Sequence, residues 1–315
     1  MNDPAPILDL IDAFRRSKTM FAAVKLGIFD GERPQGAAMD RLLDACVGLG
    51  LLAKRGDEYV NTGVADEYLK RSSPRTLSGY IRYSNDALYQ LWEHLEGAVI
   101  EGTNRWKQTF GTDGGLFTQF FRTPEAQRDF LMGMHGFGMI SSPAVIAAFD
   151  LSRFKSFVDL GGATGHLALA ARGRYPNMSA TLFDLPSVIE VAKEFVGDRV
   201  SLIAGDFFVD ALPAGDLYAV GRILHDWTEA KIAALLGKIF AALPEGGGLL
   251  IAEKLLKEDR SGSVTTHMQS LNMLVCTEGR ERTFSEYSVL LRGAGFGEIR
   301  GSITGAPLDA VLAIK

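Results

Sequence analysis

The sequence is poor in the residues that build disulfide frameworks and metal sites. It contains only two cysteines, Cys46 and Cys276, among 315 residues. Two cysteines exclude a disulfide framework and a cysteine-rich metal site. The five histidines show neither the H-x-x-x-H nor the H-x-x-E-H spacing of metal ligands. We therefore expect no metal site.

The sequence also lacks an excess of positive charge. It has 33 Lys and Arg against 38 Asp and Glu, a net charge of −5, so no polyanion partner is implied. The first residues, MNDPAPILDL, lack the basic start of a signal peptide, and no apolar run looks long enough to cross a bilayer. We expect a cytoplasmic protein that binds neither nucleic acid nor membrane.

The length and composition are typical of a globular chain with about two domains. Hydrophobic residues make up 47% and charged residues 23%. Glycine is frequent, at 35 residues, which indicates many tight turns. A chain of this length can bury a sizeable core.

The most informative stretch predicts one βαβ unit. A strand at Ser156 to Leu160 leads into the glycine-rich turn Gly161 to Gly165, followed by an alanine-rich helix, His166 to Arg174. A second strand, Ala180 to Phe183, ends in Asp184. Glycines in such a turn let the backbone approach a ligand closely, so the turn predicts a binding site.

The acids around this turn indicate which ligand it binds. The dinucleotide fingerprint G-x-G-x-x-G fails, and Asp159 instead gives the pattern D-x-G-G-x-x-G. An acid there suits a ligand with an ammonium and a sulfonium, and Asp184 could accept hydrogen bonds from both ribose hydroxyls. The pattern resembles the first motif of class I S-adenosylmethionine methyltransferases. A generic glycine turn is the alternative, and the two acids favour the cofactor.

Residues 1–75 predict a winged-helix-like dimerisation domain. Helices over 7–29 and Met39 to Val47 precede two short strands around Gly56-Asp57, a hairpin signal. Many such modules bind DNA, but these residues carry 11 basic and 11 acidic side chains and no basic stripe. We therefore predict a homodimer. The candidate contacts are Met20, Phe21 and Val24.

The rest of the chain divides into a connector and a second domain. Residues 76–150 predict a helical segment rich in aromatics and methionine, with some of these side chains forming a substrate wall. In 151–315 strands and helices alternate, which predicts a mostly parallel sheet, and the last two strands predict an antiparallel edge. One of the parallel strands is predicted over Leu217 to Ile223.

His225, in RILHDW, is the strongest catalytic candidate. Methyl transfer to a phenol needs a base, because free phenols ionise only near pH 10, and imidazole titrates closest to working pH. His225 follows the fourth parallel strand, at the sheet edge where doubly wound folds place their sites. A packing role is the alternative. The other histidines, His94, His135, His166 and His267, are expected to be structural.

Motifs along nearly the whole chain resemble one family. They include LWEHLEGAVIEG, FVDLGGATGHLA, FDLPSVI, GDFF, LHDW, GGGLLIAE and SLNMLVCTEGRERT. In order and spacing they are similar to the plant caffeic acid/flavonoid-type O-methyltransferases, and most of all to the acetylserotonin (hydroxyindole) branch. The resemblance implies a Rossmann-like methyltransferase domain behind a winged-helix-like dimerisation domain.

The resemblance also implies roles for individual residues. His225 would be the base, flanked by Glu253 and by Glu281, which would orient the ring. Asn272 would contact the acceptor, and we assign Met273, Trp227 and Phe137 to the same pocket. No metal is needed. The positions implied for the cofactor are Asp159, Gly161, Gly165, Asp184, Asp206, Phe207 and Arg222.

Together these observations predict an S-adenosylmethionine-dependent O-methyltransferase acting on a hydroxylated aromatic small molecule. Two alternatives stay open at this point. One is a cofactor-binding decarboxylase or hydroxylase on the same scaffold, and the other is a non-catalytic regulator. The presence of His225, Glu253 and Glu281 argues against both.

Overall fold

The computed structural model describes residues 3–32 and 36–315, and its N-terminal region is mainly helical. The elements are α1 (Ala5–Lys25), α2 (Ala37–Gly48), β1 (Leu52–Arg55), β2 (Glu58–Asn61) and α3 (Gly63–Tyr68). β1 and β2 pair antiparallel, so the predicted hairpin is confirmed. α1 is shorter than predicted at its C-terminus, and a single 3₁₀ turn follows at Ile28–Asp30. The winged-helix assignment stays a prediction.

Six helices form the connector. They are α4 (Ser78–Tyr83), α5 (Tyr89–Trp92), α6 (Leu95–Glu101), α7 (Trp106–Phe110), α8 (Leu116–Phe120) and α9 (Pro124–Ala147), with a π turn at Ser84–Leu88 between α4 and α5. The aromatic side chains of this segment pack against the second domain in one hydrophobic cluster. The segment is therefore attached to the sheet rather than being a loose linker.

The second domain is built on a seven-stranded sheet. Its strands are β3 (Ser156–Leu160), β4 (Ser179–Asp184), β5 (Ser201–Ala204), β6 (Leu217–Gly221), β7 (Gly248–Glu253), β10 (Glu298–Ser302) and β11 (Asp309–Ile314). The order is β10-β11-β7-β6-β3-β4-β5, and the five strands from β7 to β5 are parallel. β11 pairs antiparallel with both neighbours, which confirms the predicted edge.

Helices and a small second ladder complete this domain. The helices are α10 (His166–Arg174), α11 (Pro186–Val196), α12 (Glu229–Ala242), α13 (Val264–Cys276) and α14 (Phe284–Gly293). The ladder pairs β8 (Leu255–Leu256) with β9 (Arg282–Thr283). Thr228 caps α12 as predicted, accepting a hydrogen bond from the Lys231 amide. The strand predicted over Leu217 to Ile223 ends at Gly221, because Arg222 takes a left-handed φ of 56° that no strand continues.

The helix α9 corrects one expectation from the sequence. By length and composition it is apolar enough to cross a membrane, which we had expected of no segment. Here it packs lengthwise against α4 and α10, and Leu131, Val145 and Ile146 on it are buried. Its apolar character is accounted for by these protein contacts, which place it in the wall of the site described next.

Candidate active site

A cavity of about 340 Å³ opens where β3, β4 and β6 end. This is the carboxyl edge of the parallel strands, where doubly wound sheets bind ligands. Seven residues predicted for the site lie in its wall: Gly161, Asp184, Asp206, Phe207, Arg222, Trp227 and Phe137. The structure thus brings together residues from five separate parts of the chain.

Gly161 lets the backbone lie directly under the cavity. Its φ is 67°, and a Cβ at this position would lie 2.6 Å from Cδ1 of Ile223 and 3.2 Å from the Phe207 ring. Any other residue would therefore strain the backbone and close the approach to a ligand. The glycine in the predicted motif is explained by this contact.

Asp184 stabilises the turn by hydrogen bonds, and its carboxylate can still accept hydrogen bonds from a ligand. Its Oδ2 accepts from the Ala163 amide at 2.9 Å, and its Oδ1 accepts from the Leu185 amide at 2.7 Å. Each carboxylate oxygen can accept a second hydrogen bond, so two ligand hydroxyls can still be bound. Burial raises the pKa of Asp184 to about 7, although these two amides oppose the shift.

Asp159 and Gly165 are not in the cavity wall. Asp159 is fully buried beneath the turn, where its Oδ2 accepts from the Ala168 amide at 3.2 Å inside α10. Gly165 is the residue before the first turn of that helix. Both residues therefore support the turn in this structure, and the cofactor contacts that the resemblance implies for them stay a prediction.

His225 is held by Glu281, a residue far from it in the sequence. The two residues are 56 positions apart, and Nδ1 of His225 lies 2.7 Å from Oε1 of Glu281. Because a carboxylate only accepts hydrogen bonds, Nδ1 carries the proton and Nε2 is left as the basic nitrogen. Both side chains are buried, at 2% and 1% exposure, so the ring has one fixed orientation.

Acidic neighbours determine the charge of this imidazole. Burial alone would lower the pKa of His225, but the carboxylates of Glu281, Glu253 and Asp226 outweigh it and raise the pKa to about 9. A base must be neutral to accept a proton, so this environment moves the useful range of His225 toward higher pH.

Glu253 has a second task besides its place next to the imidazole, which the family resemblance implies. Its Oε1 accepts from the backbone amides of Ile223, Leu224 and His225 at 3.2, 2.6 and 3.1 Å. Its Oε2 accepts from the Tyr287 hydroxyl. Glu253 therefore shapes the backbone turn that carries His225 and also lies beside the ring, where its charge helps to raise the pKa of the imidazole.

The same three residues are close enough for a metal ion to be considered. One donor atom each from His225, Glu253 and Glu281 lies within 4.8 Å of the others. However, Glu253 already accepts four hydrogen bonds and Oε1 of Glu281 is bound to the His225 ring. These hydrogen bonds account for the cluster as the support of a hydrogen-bonded base.

A second, smaller cavity of about 30 Å³ lies at His225. It is lined by Asn272 and Met273, both predicted for the acceptor, and Asn272 is fixed by the Trp92 indole N–H at 2.8 Å. The two cavities adjoin, because four residues belong to the walls of both: Phe130, Met134, Arg222 and Asp226. The smaller space has room for a hydroxyl group but not for an aromatic ring.

Three of the lining residues that sequence reasoning missed bear on the chemistry of the site. Asp226 lies next to His225 in both cavities, with Oδ1 3.6 Å from Nε2 of the ring, and the motif LHDW was a signal for it. Met134 was expected only within a broad aromatic and methionine segment. His166 was expected to be structural, yet it lies in the wall of the larger cavity.

Comparison with known proteins places the site in a family. Residues 92–297 match the family described as an O-methyltransferase domain. The chain is 42% identical to acetylserotonin O-methyltransferase of Gallus gallus over 337 residues, covering 99% of this chain and 97% of the relative. It is 38% identical to the Homo sapiens acetylserotonin O-methyltransferase over 332 residues, covering 98% and 96%.

Solved structures agree with this placement. The structure of human N-acetylserotonin methyltransferase with S-adenosylmethionine superposes with a TM-score of 0.95 at 38% identity, over 100% of this chain and 98% of the other. PigF with SAH superposes with a TM-score of 0.90 at 26% identity, over 100% of both chains. The class I methyltransferase fold predicted from the sequence is thereby confirmed.

Proposed function

Because this chain belongs to the O-methyltransferase domain family and is an S-adenosylmethionine-dependent O-methyltransferase, we propose that it methylates the hydroxyl group of a hydroxyindole. The observation that carries the proposal is the ring of His225, fixed by Glu281, in a hydroxyl-sized cavity beside the cofactor cavity. The hydroxyindole comes from the relatives, whose names specify acetylserotonin. The alternatives, a decarboxylase or hydroxylase and a regulator, find no support among these relatives.

The residues of the larger cavity fit the cofactor. Asp184 has free lone pairs for two hydroxyls, Phe207 offers an apolar surface, and Nε of Arg222 is buried without a partner among the described residues. An unpartnered cationic donor suits a carboxylate. S-adenosylmethionine supplies an electrophilic methyl group when it is bound.

The residues of the smaller cavity prepare the acceptor. We propose that Nε2 of His225 takes the hydroxyl proton while Glu281 holds the ring, and that the carboxylate of Asp226, 3.6 Å from Nε2, also favours the protonated ring. Transfer of the proton to the ring produces a phenolate, which is a far better nucleophile than the phenol. Glu281 then stabilises the imidazolium that forms.

The acceptor ring fits between apolar side chains of the shared wall. Phe130 and Met134 border both cavities, and Trp227 is 5.8 Å from Phe117, ring centre to ring centre. Methionine side chains are flexible, so we propose that Met134 and Met273 move aside to admit the ring. The aromatic rings of this wall then offer flat surfaces against which an aromatic acceptor can pack.

We expect the purified enzyme with S-adenosylmethionine to methylate N-acetylserotonin. The physical reason is that His225 can act only on an acceptor that presents a hydroxyl at the end of a planar ring. Mass spectrometry should show a product in which one methyl group replaces one hydrogen. N-acetyltryptamine, which lacks only the hydroxyl, is the matched control and should give no product. Conversion of caffeic acid but not of N-acetylserotonin would refute the hydroxyindole and leave O-methyl transfer intact.

We also propose a homodimer, but through a different surface from the one predicted. Val24 is buried, and Met20 and Phe21 are partly buried against the core of their own N-terminal region, so these three offer little surface to a partner. The exposed apolar residues lie earlier in α1, where Ile7, Leu10 and Phe14 are 62, 70 and 52% exposed. Ile7, Ile11 and Phe14 follow helical spacing, so they form one contiguous apolar face. Contiguous exposed apolar faces of this kind mark interaction surfaces, whereas single exposed apolar residues do not.

Light scattering should therefore report a dimer at micromolar concentration. The double variant Leu10→Glu/Phe14→Glu should shift the mass toward the monomer, because it places charges within an apolar contact. Asp40→Lys, a charge change at an exposed position on α2, is the control and should stay dimeric. A monomeric wild-type protein under the same conditions would contradict the proposal.

A further inference from the structure

We propose that His166 binds the carboxylate at the amino-acid end of S-adenosylmethionine through its Nε2 nitrogen. The inference goes beyond the acceptor proposed above and rests only on the cofactor site. His166 is the first residue of α10, directly after the glycine turn, and its ring lies in the wall of the larger cavity.

The ring is held by the protein through one nitrogen and borders the cavity. Nδ1 lies 2.9 Å from the Ser142 hydroxyl on α9, and within the described ranges Nε2 has no protein partner. If Ser142 donates to Nδ1, the proton of the neutral ring is on Nε2, which then acts as a donor. The free nitrogen is therefore available to an acceptor group in the cavity.

Gly138 makes room for this ring. A Cβ on Gly138 would lie 2.3 Å from Cγ of His166, which no real contact allows. The close packing of α9 against α10 therefore depends on the absence of a side chain at position 138. It presses the imidazole into a single orientation at the cavity wall.

The position along the sheet indicates which end of the cofactor meets His166. Asp184 and Phe207 follow β4 and β5 on one side, and His225 follows β6 on the other. If the ribose and adenine lie at Asp184 and Phe207, the methyl group must point toward His225. The amino-acid end is then left beside β3 and β6, where His166 and Arg222 are.

The charges there favour the carboxylate over the ammonium. The guanidinium of Arg222 lines the same cavity, and its buried Nε has no partner among the described residues. Burial, together with the nearby His135 and Arg222, lowers the pKa of His166 to about 3, so the ring stays neutral. A neutral donor beside a cation and at the start of a helix suits an anion.

His166→Phe tests the assignment because it keeps a ring against Gly138 and removes the donor. Calorimetry should show S-adenosylmethionine and S-adenosylhomocysteine bound at least about tenfold more weakly than by the wild type. Binding of 5′-methylthioadenosine, which lacks the amino-acid end, and of decarboxylated S-adenosylmethionine should hardly change. Gly138→Ala, which displaces the ring, should reproduce this pattern.

His135→Phe is the matched control. His135 is a neighbouring histidine that contacts the Thr164 hydroxyl at 2.8 Å but is not part of the cavity wall, so its replacement should leave all four affinities near wild type. Circular dichroism checks that each variant folds, and His166→Ala replaces His166→Phe if the latter does not.

Three outcomes would overturn the proposal. They are unchanged affinity for S-adenosylmethionine in the folded variant, equal weakening of 5′-methylthioadenosine, and equal weakening of the decarboxylated cofactor. Because the assay contains no acceptor, failure of the hydroxyindole proposal would not affect it.

Discussion

Replacing His225 by glutamine should lower turnover of a weakly acidic phenol by about 10²- to 10⁴-fold, which is the contribution of a positioned base. Glutamine can still donate to Glu281 but cannot take a proton from the acceptor. Cofactor affinity should hardly change, because His225 lies in the smaller cavity and is not in the wall of the larger one. Steady-state kinetics and cofactor calorimetry on the same preparation would measure both effects.

The pH dependence distinguishes a base from a packing residue. Since the pKa of His225 is raised to about 9, the neutral ring becomes more abundant as pH rises, and turnover should rise from neutral pH through that range. His225→Gln should lose this dependence. Glu281→Gln should lose less rate and shift the rise to lower pH, because it removes a negative charge that holds the proton on the ring.

The acceptor must be chosen to make this test decisive. An acceptor already ionised at the assay pH needs no base, so its turnover would hide the effect. If His225→Gln turns over a weakly acidic phenol at nearly the wild-type rate, the histidine is structural and proximity alone accounts for the reaction.

Asp184→Ala should weaken binding of S-adenosylmethionine by about 1.5–3 kcal/mol, or roughly 10- to 150-fold. The variant removes the acceptor proposed for the ribose hydroxyls. It also removes the partner of the Ala163 and Leu185 amides, so Asp184→Asn is the milder variant for comparison. Calorimetry that shows unchanged affinity, or tighter binding of NAD than of S-adenosylmethionine, would contradict the assignment.

The pKa of Asp184 adds a second measurement. Because it is raised to about 7, the carboxylate that accepts best from hydroxyls forms as pH rises through 7, and cofactor affinity should rise with it. Binding near pH 7 should release a proton, which calorimetry in buffers of different ionisation enthalpy detects. Asp184→Asn should lose this proton release, because it leaves no titrating group at position 184.

Much of the second domain could be predicted from the sequence because its signals are local. The strand at Ser156–Leu160 and the helix at His166–Arg174 occur as predicted, since strand and helix periodicity and the glycine turn act over a few residues. The cap of α12 and the hairpin in the N-terminal region have the same origin. Even His225 could be placed, because the end of a strand is a local position.

Other features depend on contacts between distant parts of the chain. The sequence does not reveal that Glu253 accepts hydrogen bonds from the amides of residues 223–225, and only the family resemblance implied its place beside the imidazole. The strand Leu217–Gly221 is shorter than predicted because of the left-handed turn at Arg222. The sequence could not show which apolar residues of α1 are buried and which are exposed, because both sets recur at helical spacing.

The sequence by itself determined the class of fold, the glycine turn with its acids and the identity of the candidate base. The tertiary structure alone decided which of these residues meet in one cavity. In it, Glu281 contacts the ring of His225, although the two residues are 56 positions apart. Asp159 is buried beneath the turn, and His166 packs closely against Gly138. The physical reason is that backbone periodicity and turn chemistry are local, whereas burial and hydrogen-bond partners are determined by packing between segments far apart in the chain.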